Sequence, residues 1–147
     1  MSATADHAEE RTNPAAKLGF EPGQVVQEIG YDEDVEQELR EAIEAVIGQE
    51  LFDEDYDDVA DVVLLWFRDE DGDLTDALVD AIGLIDEGGE IWLLTPKTGR
   101  DGYIEPSDIN EAAQTAGLSQ TRSISAGKDW TGSRLITPKA AKTGTKR

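Results

Sequence analysis

The sequence predicts an open α/β sandwich, a three-layer Rossmann-like fold built on a mostly parallel five-stranded sheet with a C-terminal antiparallel hairpin. Three observations carry that expectation. Short apolar, β-branched runs alternate with stretches whose apolar residues recur at helical spacing. One run, Val62-Val63-Leu64-Leu65-Trp66-Phe67, has six consecutive apolar residues, as expected of a central strand covered on both faces. The last two extended runs are separated by a glycine-rich hexapeptide that suits a hairpin.

The elements follow in order β-α-β-α-β-α-β-β. Val25 to Ile29 reads as the first strand, closed by Gly30. A helix is expected from Asp32 to Ile47, because Val35, Leu39, Ala42, Ile43, Val46 and Ile47 form one stripe and Gly48 can end it. Asp32, Glu33 and Asp34 would then lie in its first turn, at the positive end of the helix dipole. Asp61 to Phe67 is the second strand. Asp71 or Asp73 can cap a second helix whose stripe runs Leu74, Ala77, Leu78, Ala81, Ile82 and Ile85, ended by Glu87-Gly88-Gly89. Glu90 to Thr95 is the third strand. Pro106 opens a third helix with Ile109, Ala112, Ala113 and Ala116 inward and Gly117 as terminator. Strands over 120–126 and 133–137 complete the sheet. Residues 1–17 and 139–147 are polar and aperiodic and are expected to be disordered tails, leaving a single domain over 18–138.

Composition limits the chemistry. The chain has 147 residues, 38% of them hydrophobic, which is enough for one packed domain. It has no cysteine and one histidine, His7, so disulfides, thiolate chemistry, a Ser-His-Asp triad and a multi-histidine metal site are excluded. No apolar run is long enough to span a membrane and no signal-peptide pattern opens the chain, so a cytoplasmic location is expected. Net charge is −20 and unevenly spread. Residues 1–90 carry 4 basic and 28 acidic side chains, residues 91–147 carry 9 and 5. A front half this acidic repels nucleic acid.

Ligands of open α/β sheets bind beyond the carboxyl ends of the strands. Those ends read Gly30-Tyr31-Asp32, then Arg68-Asp69-Glu70-Asp71-Gly72-Asp73, then Lys97-Thr98-Gly99-Arg100-Asp101-Gly102-Tyr103. The candidate ligand-binding residues are therefore Gly30, Tyr31, Asp32, Asp69, Asp71, Lys97, Thr98, Gly99, Arg100 and Tyr103. Lys97 and Arg100 could clamp an anion, or pair with the acidic loop after the second strand. The acidic loop fails as a calcium loop: Phe67 and Leu78 stand where ligands would be needed, and no metal is expected. Neither G-x-G-x-x-G nor G-x-x-x-x-G-K-[ST] is present, so no cofactor is expected, and no catalytic residue is assigned. Trp66, Trp92 and Trp130 fit core packing.

Two resemblances complete the reading. DVVLLWF, IDEGGEIWLLTP and the segment EPSDINEAAQTAGLSQTRSIS resemble the later strands and helix of class I S-adenosylmethionine-dependent methyltransferases, and VVQEIGYD is similar to their first strand. The family's glycine motif is absent, and residues 48–61 are too few for its second and third strands. This implies a shortened methyltransferase-like sheet without the cofactor-binding elements. More specifically, KLGFEPGQVVQEIGYDEDVEQELREAI, VVLLWFRDEDGDLTDAL, IWLLTPKTGRDGYIEPSDINEAAQTAGL and the DW-T-G-SRL ending resemble an actinobacterial family, domain of unknown function 3052, over Lys17 to Pro138. Together these observations point to a non-catalytic module that binds or regulates a protein partner, its acidic front meeting a basic surface or its Lys139–Arg147 tail an acidic one, with homo-oligomer formation through the hairpin edge as a further expectation. The alternative is a small-anion or nucleotide-derived ligand on the strand-end rim, with methyltransferase-like activity as its enzymatic form.

Overall fold

The computed structural model describes residues 18–137; both expected tails and Pro138 lie outside them. The elements are β1 (Val26–Ile29), α1 (Gln37–Ile47), β2 (Ala60–Trp66), α2 (Leu74–Ile82), β3 (Ile85–Pro96), α3 (Pro106–Ala116), β4 (Ser119–Ser125) and β5 (Trp130–Ile136). A short 3₁₀ turn, Asp69–Asp71, lies between β2 and α2.

The five strands form one sheet in the order β1-β2-β3-β5-β4. β1 pairs parallel with β2, and β2 with β3, whereas β5 runs antiparallel to both β3 and β4. The expected β-α-β-α-β-α-β-β order is therefore present, but the sheet is mixed rather than mostly parallel. The reason is topological: β5 returns through a tight hairpin from the edge strand β4 and inserts beside β3, which reverses two of the four pairings.

Alternation along β2 divides the core. Val62, Leu64 and Trp66 face one side, with α1 residues Leu39, Ile43 and Ile47 packed on them. Val63 and Leu65 face the other, with Phe67 beyond them, against Leu78 and Ala81 of α2 and Ile109, Ala112 and Ala113 of α3. Trp66, Trp92 and Trp130 are all buried core residues, and Trp66 meets Trp130 edge to face.

Several boundaries differ from expectation. α1 begins at Gln37, so Asp32, Glu33 and Asp34 lie in the preceding loop and only Glu38 is in the first turn. α2 ends at Ile82, and Ile85 opens β3 rather than closing a helix. Ala60 pairs with Ile85 but Val62 with Glu90, so Asp86 to Gly89 bulge out opposite Asp61 within one long strand. Trp130, Thr131 and Gly132 belong to β5 because they pair with Pro96, Thr95 and Leu94 of β3.

The connection from α1 to β2 does not make a further full strand. It lays Phe52 against the outer edge of β1 as a single parallel bridge to Gln27. Glu28 donates its amide to the Phe52 carbonyl and Phe52 donates to that of Val26, at 2.7 and 2.9 Å. The buried Gln27 side chain donates to the carbonyls of Asp53 and Tyr56, which ties the same loop down from beneath. No helix of the described residues is long and apolar enough to cross a membrane.

Candidate functional site

The carboxyl ends of β1 and β2 meet at Gly30. Its φ of 84° is left-handed, and a methyl group there would collide with the backbone carbonyl of Trp66. Only glycine lets the two strand ends come this close. The Gly30 amide donates to Glu54 Oε2 at 2.9 Å, and its carbonyl accepts from Arg68 Nη1 at 2.9 Å.

Arg68 is the centre of this rim. It follows β2 directly, is 6% exposed, and reaches across to the loop before α1. Nε and Nη2 donate to the two carboxylate oxygens of Asp34, a bidentate pair, while Nη1 also meets Asp71 Oδ2 at 3.2 Å. The guanidinium lies 5.3 Å from the centre of the Trp130 ring. Its hydrogen bonds hold the Asp34 carboxyl below the usual range, outweighing burial, and Arg100 adds to the effect. Burial pulls the Arg68 guanidinium down, but bonds to Asp34 and then Asp71 overcome it and raise it above its ordinary value.

Beside this staple opens a cleft of about 340 Å³, lined in part by Gly30, Tyr31, Asp32, Glu54, Arg68 and Asp71. A neighbouring hollow of about 460 Å³ shares Tyr31 and Glu54 with it and adds Glu28, Arg40, Asp53 and Asp55. Tyr31 stands half exposed between the two; Arg40 stacks on its ring and Gln37 donates to its hydroxyl at 2.9 Å. Glu28, buried on β1, accepts from Arg40 Nε and Nη2 and from the Trp66 indole at 2.8 Å. The bonds that Arg40 donates to Glu28 raise its guanidinium despite partial burial. Both cations on this rim are therefore committed to carboxylates of the protein itself. An anion arriving here would have to displace Asp34 or Glu28, whereas the outward groups are carboxylates and a phenol. The electrostatics suit a cation.

The candidate residues thus divide. Gly30, Tyr31, Asp32 and Asp71 come together around Arg68. Asp69 contributes its amide, which donates to the Gly102 carbonyl at 3.0 Å and joins the loops after β2 and β3. Lys97 and Arg100 turn instead toward the hairpin: Lys97 Nζ meets Ser125 Oγ at 2.7 Å and Arg100 Nη1 meets Asp129 Oδ1 at 3.4 Å. Neither pairs with the acidic loop after β2. Gly99 makes the turn between them at a φ of 89°. Thr98 and Tyr103 line a different, smaller cavity. Sequence reasoning missed Arg68, Asp34, Glu28 and Arg40. A charge at position 28 inside an apolar strand, and an arginine closing six apolar residues, were the available signals. Among the described residues no cluster of histidine, cysteine or carboxylate side chains is suited to hold a metal.

The fold belongs to a recognisable class. It is similar to solved methyltransferases: an O-methyltransferase of neocarzinostatin biosynthesis in complex with S-adenosyl-L-homocysteine (TM-score 0.63, 12% identity, 93% of this chain and 56% of that one) and the CcbJ methyltransferase from Streptomyces caelestis (TM-score 0.54, 12% identity, 88% and 95%). At such identities the likeness concerns the fold alone. Residues 15–139 match the family described as "Protein of unknown function (DUF3052)", and the chain belongs to that family. It is 54% identical over 136 residues to proteins described as uncharacterized from Mycobacterium bovis and Mycobacterium tuberculosis, covering 92% of this chain and 84% of theirs.

Proposed function

We propose that the protein is a non-catalytic, cytoplasmic, methyltransferase-like module that engages a basic segment of a protein partner through the acidic rim at the ends of β1 and β2. The observation that carries this reading is the state of Arg68. The cation best placed to receive an anionic ligand is neutralised by Asp34 and Asp71 and bonded to the Gly30 carbonyl. What remains outward is Tyr31 flanked by Asp32, Asp53, Glu54 and Asp55, a surface that attracts lysine and arginine. Tyr31, half exposed with Arg40 already stacked on its ring, adds apolar contact area at little entropic cost.

The second reading, a nucleotide-derived ligand at the same rim, draws on the likeness to methyltransferase folds, one of them holding S-adenosyl-L-homocysteine. One experiment separates the two. Immobilised protein and a rim variant, Asp32→Lys with Glu54→Lys and Asp55→Lys, are challenged with cell extract across a salt series, and both are melted with and without S-adenosylmethionine. A protein retained by the native chain, lost from the variant and released by salt supports the partner reading. No retained protein that distinguishes the two overturns it. A rise in native melting temperature with S-adenosylmethionine transfers the rim to the second reading; about 2.7 kcal/mol is expected at a hundredfold excess over Kd.

A further inference from the structure

On the sheet face covered by α2 and α3, a second cavity of about 110 Å³ lies between the end of β3, the β4–β5 hairpin and the first turn of α3. Its floor is a patch of hydroxyls set by strand register. Thr95 of β3 pairs with Thr131 of β5, and Ser133 of β5 pairs with Ser123 of β4. Thr95, Thr131 and Ser133 share the parity of Ile91, Leu93 and Leu135, which pack the apolar core of that face. The floor is therefore polar where the pattern of the sheet calls for aliphatic residues. Thr95 and Ser133 are each 1% exposed, and both line the cavity. A hydroxyl in so buried a residue calls for a hydrogen-bond partner, and at a cavity wall the occupant of the cavity can supply it.

The opposite wall is apolar, made by Pro96, Ile104, Pro106 and Ile109. No charged side chain lines the cavity, and the nearby Lys97 is turned to Ser125. Hydroxyls both donate and accept, so the floor offers no preference for an ion, and a net charge of −20 disfavours an anion. The space holds about three or four waters at ~30 Å³ each, close to the size of one small ring. A polar floor under an apolar roof matches a molecule with hydroxyl edges and C–H faces. We infer that this cavity binds a small uncharged polyhydroxylated ring of about pentose size. The site is separate from the acidic rim and does not depend on its function.

The test is a titration of the full-length ¹⁵N-labelled protein with D-ribose, followed by amide shifts, with inorganic phosphate as the charged control. Saturable shifts are expected around Thr95, Ser123, Thr131 and Ser133, with none at the rim cleft and none from phosphate. Thr131→Val keeps the branched shape and is expected to weaken binding about tenfold while leaving the spectrum native-like; Ser133→Ala provides an independent check should either variant fold poorly. The inference is overturned by unsaturable or dispersed shifts up to the solubility limit of ribose, by equal response to phosphate, or by unchanged affinity in both folded variants.

Discussion

At the scale of single residues, Arg68 joins the β1 terminus, the loop before α1 and the 3₁₀ turn through one guanidinium. Arg68→Met keeps most of the apolar stem but strands the Gly30 carbonyl and removes the cation from Asp34 and Asp71, of which Asp71 keeps the backbone amide of residue 68. A loss of about 2–3 kcal/mol in urea unfolding at neutral pH is expected. The pH dependence has a definite sign. Arg68 holds Asp34 below the usual carboxylate range, so this pair stabilises the fold above the ordinary aspartate value and fades as pH falls through the depressed one. The native urea midpoint should therefore fall on acidification through that window, and the variant's should fall less. The difference will be small, because the Asp34 side chain is 53% exposed and water screens it. Little of this was visible in the sequence. Gly30, Tyr31, Asp32 and Asp71 were legible as strand-end residues, but the pairing of Arg68 with a residue 34 positions earlier is set by tertiary approach, which no local pattern encodes.

Among the secondary-structure elements, the helices were the most legible. Their 3.6-residue stripes survive translation into structure because each stripe meets a strand face of matching alternation, and Gly48 and Gly117 end α1 and α3 as expected, whereas α2 stops at Gly83, well before Gly88 and Gly89. Gly48 closes α1 at a φ of 82° with open space around it, so Gly48→Ala should cost about 1 kcal/mol through backbone strain alone. Gly83, at the end of α2, has an ordinary φ of −69°, and Gly83→Ala should be neutral or slightly stabilising. Chemical denaturation of the two variants side by side checks the contrast. The start of β3 was not legible, because Ile85 fits both the helical stripe of α2 and the pairing with Ala60, and pairing prevails. The direction of β5 within the sheet was equally hidden. The hairpin is written in the sequence, but which of its strands lies next to β3 is not.

Across the whole molecule, charge dominates. With a net charge of −20, like-charge repulsion opposes the compact state and is screened over about 10 Å at 0.1 M salt. The melting temperature should rise by a few degrees between about 0.02 and 0.3 M sodium chloride, whereas binding of a basic partner at the rim should weaken over the same range. A thermal melt and a binding isotherm recorded in the same buffers would show the two trends running in opposite directions.

The Phe52 bridge also limits how copies of this chain could add to one another. Along the outer side of β1, the Val26 carbonyl and Glu28 amide are taken by Phe52, and the Gly30 amide by Glu54. An incoming strand would find almost no free ladder there, so among the described residues β4 is the side of the sheet left to extend. A fibre needs two receptive sides per copy. With a single one, edge-to-edge growth ends at a symmetric pair, and the bridge acts as a built-in stop against polymerisation.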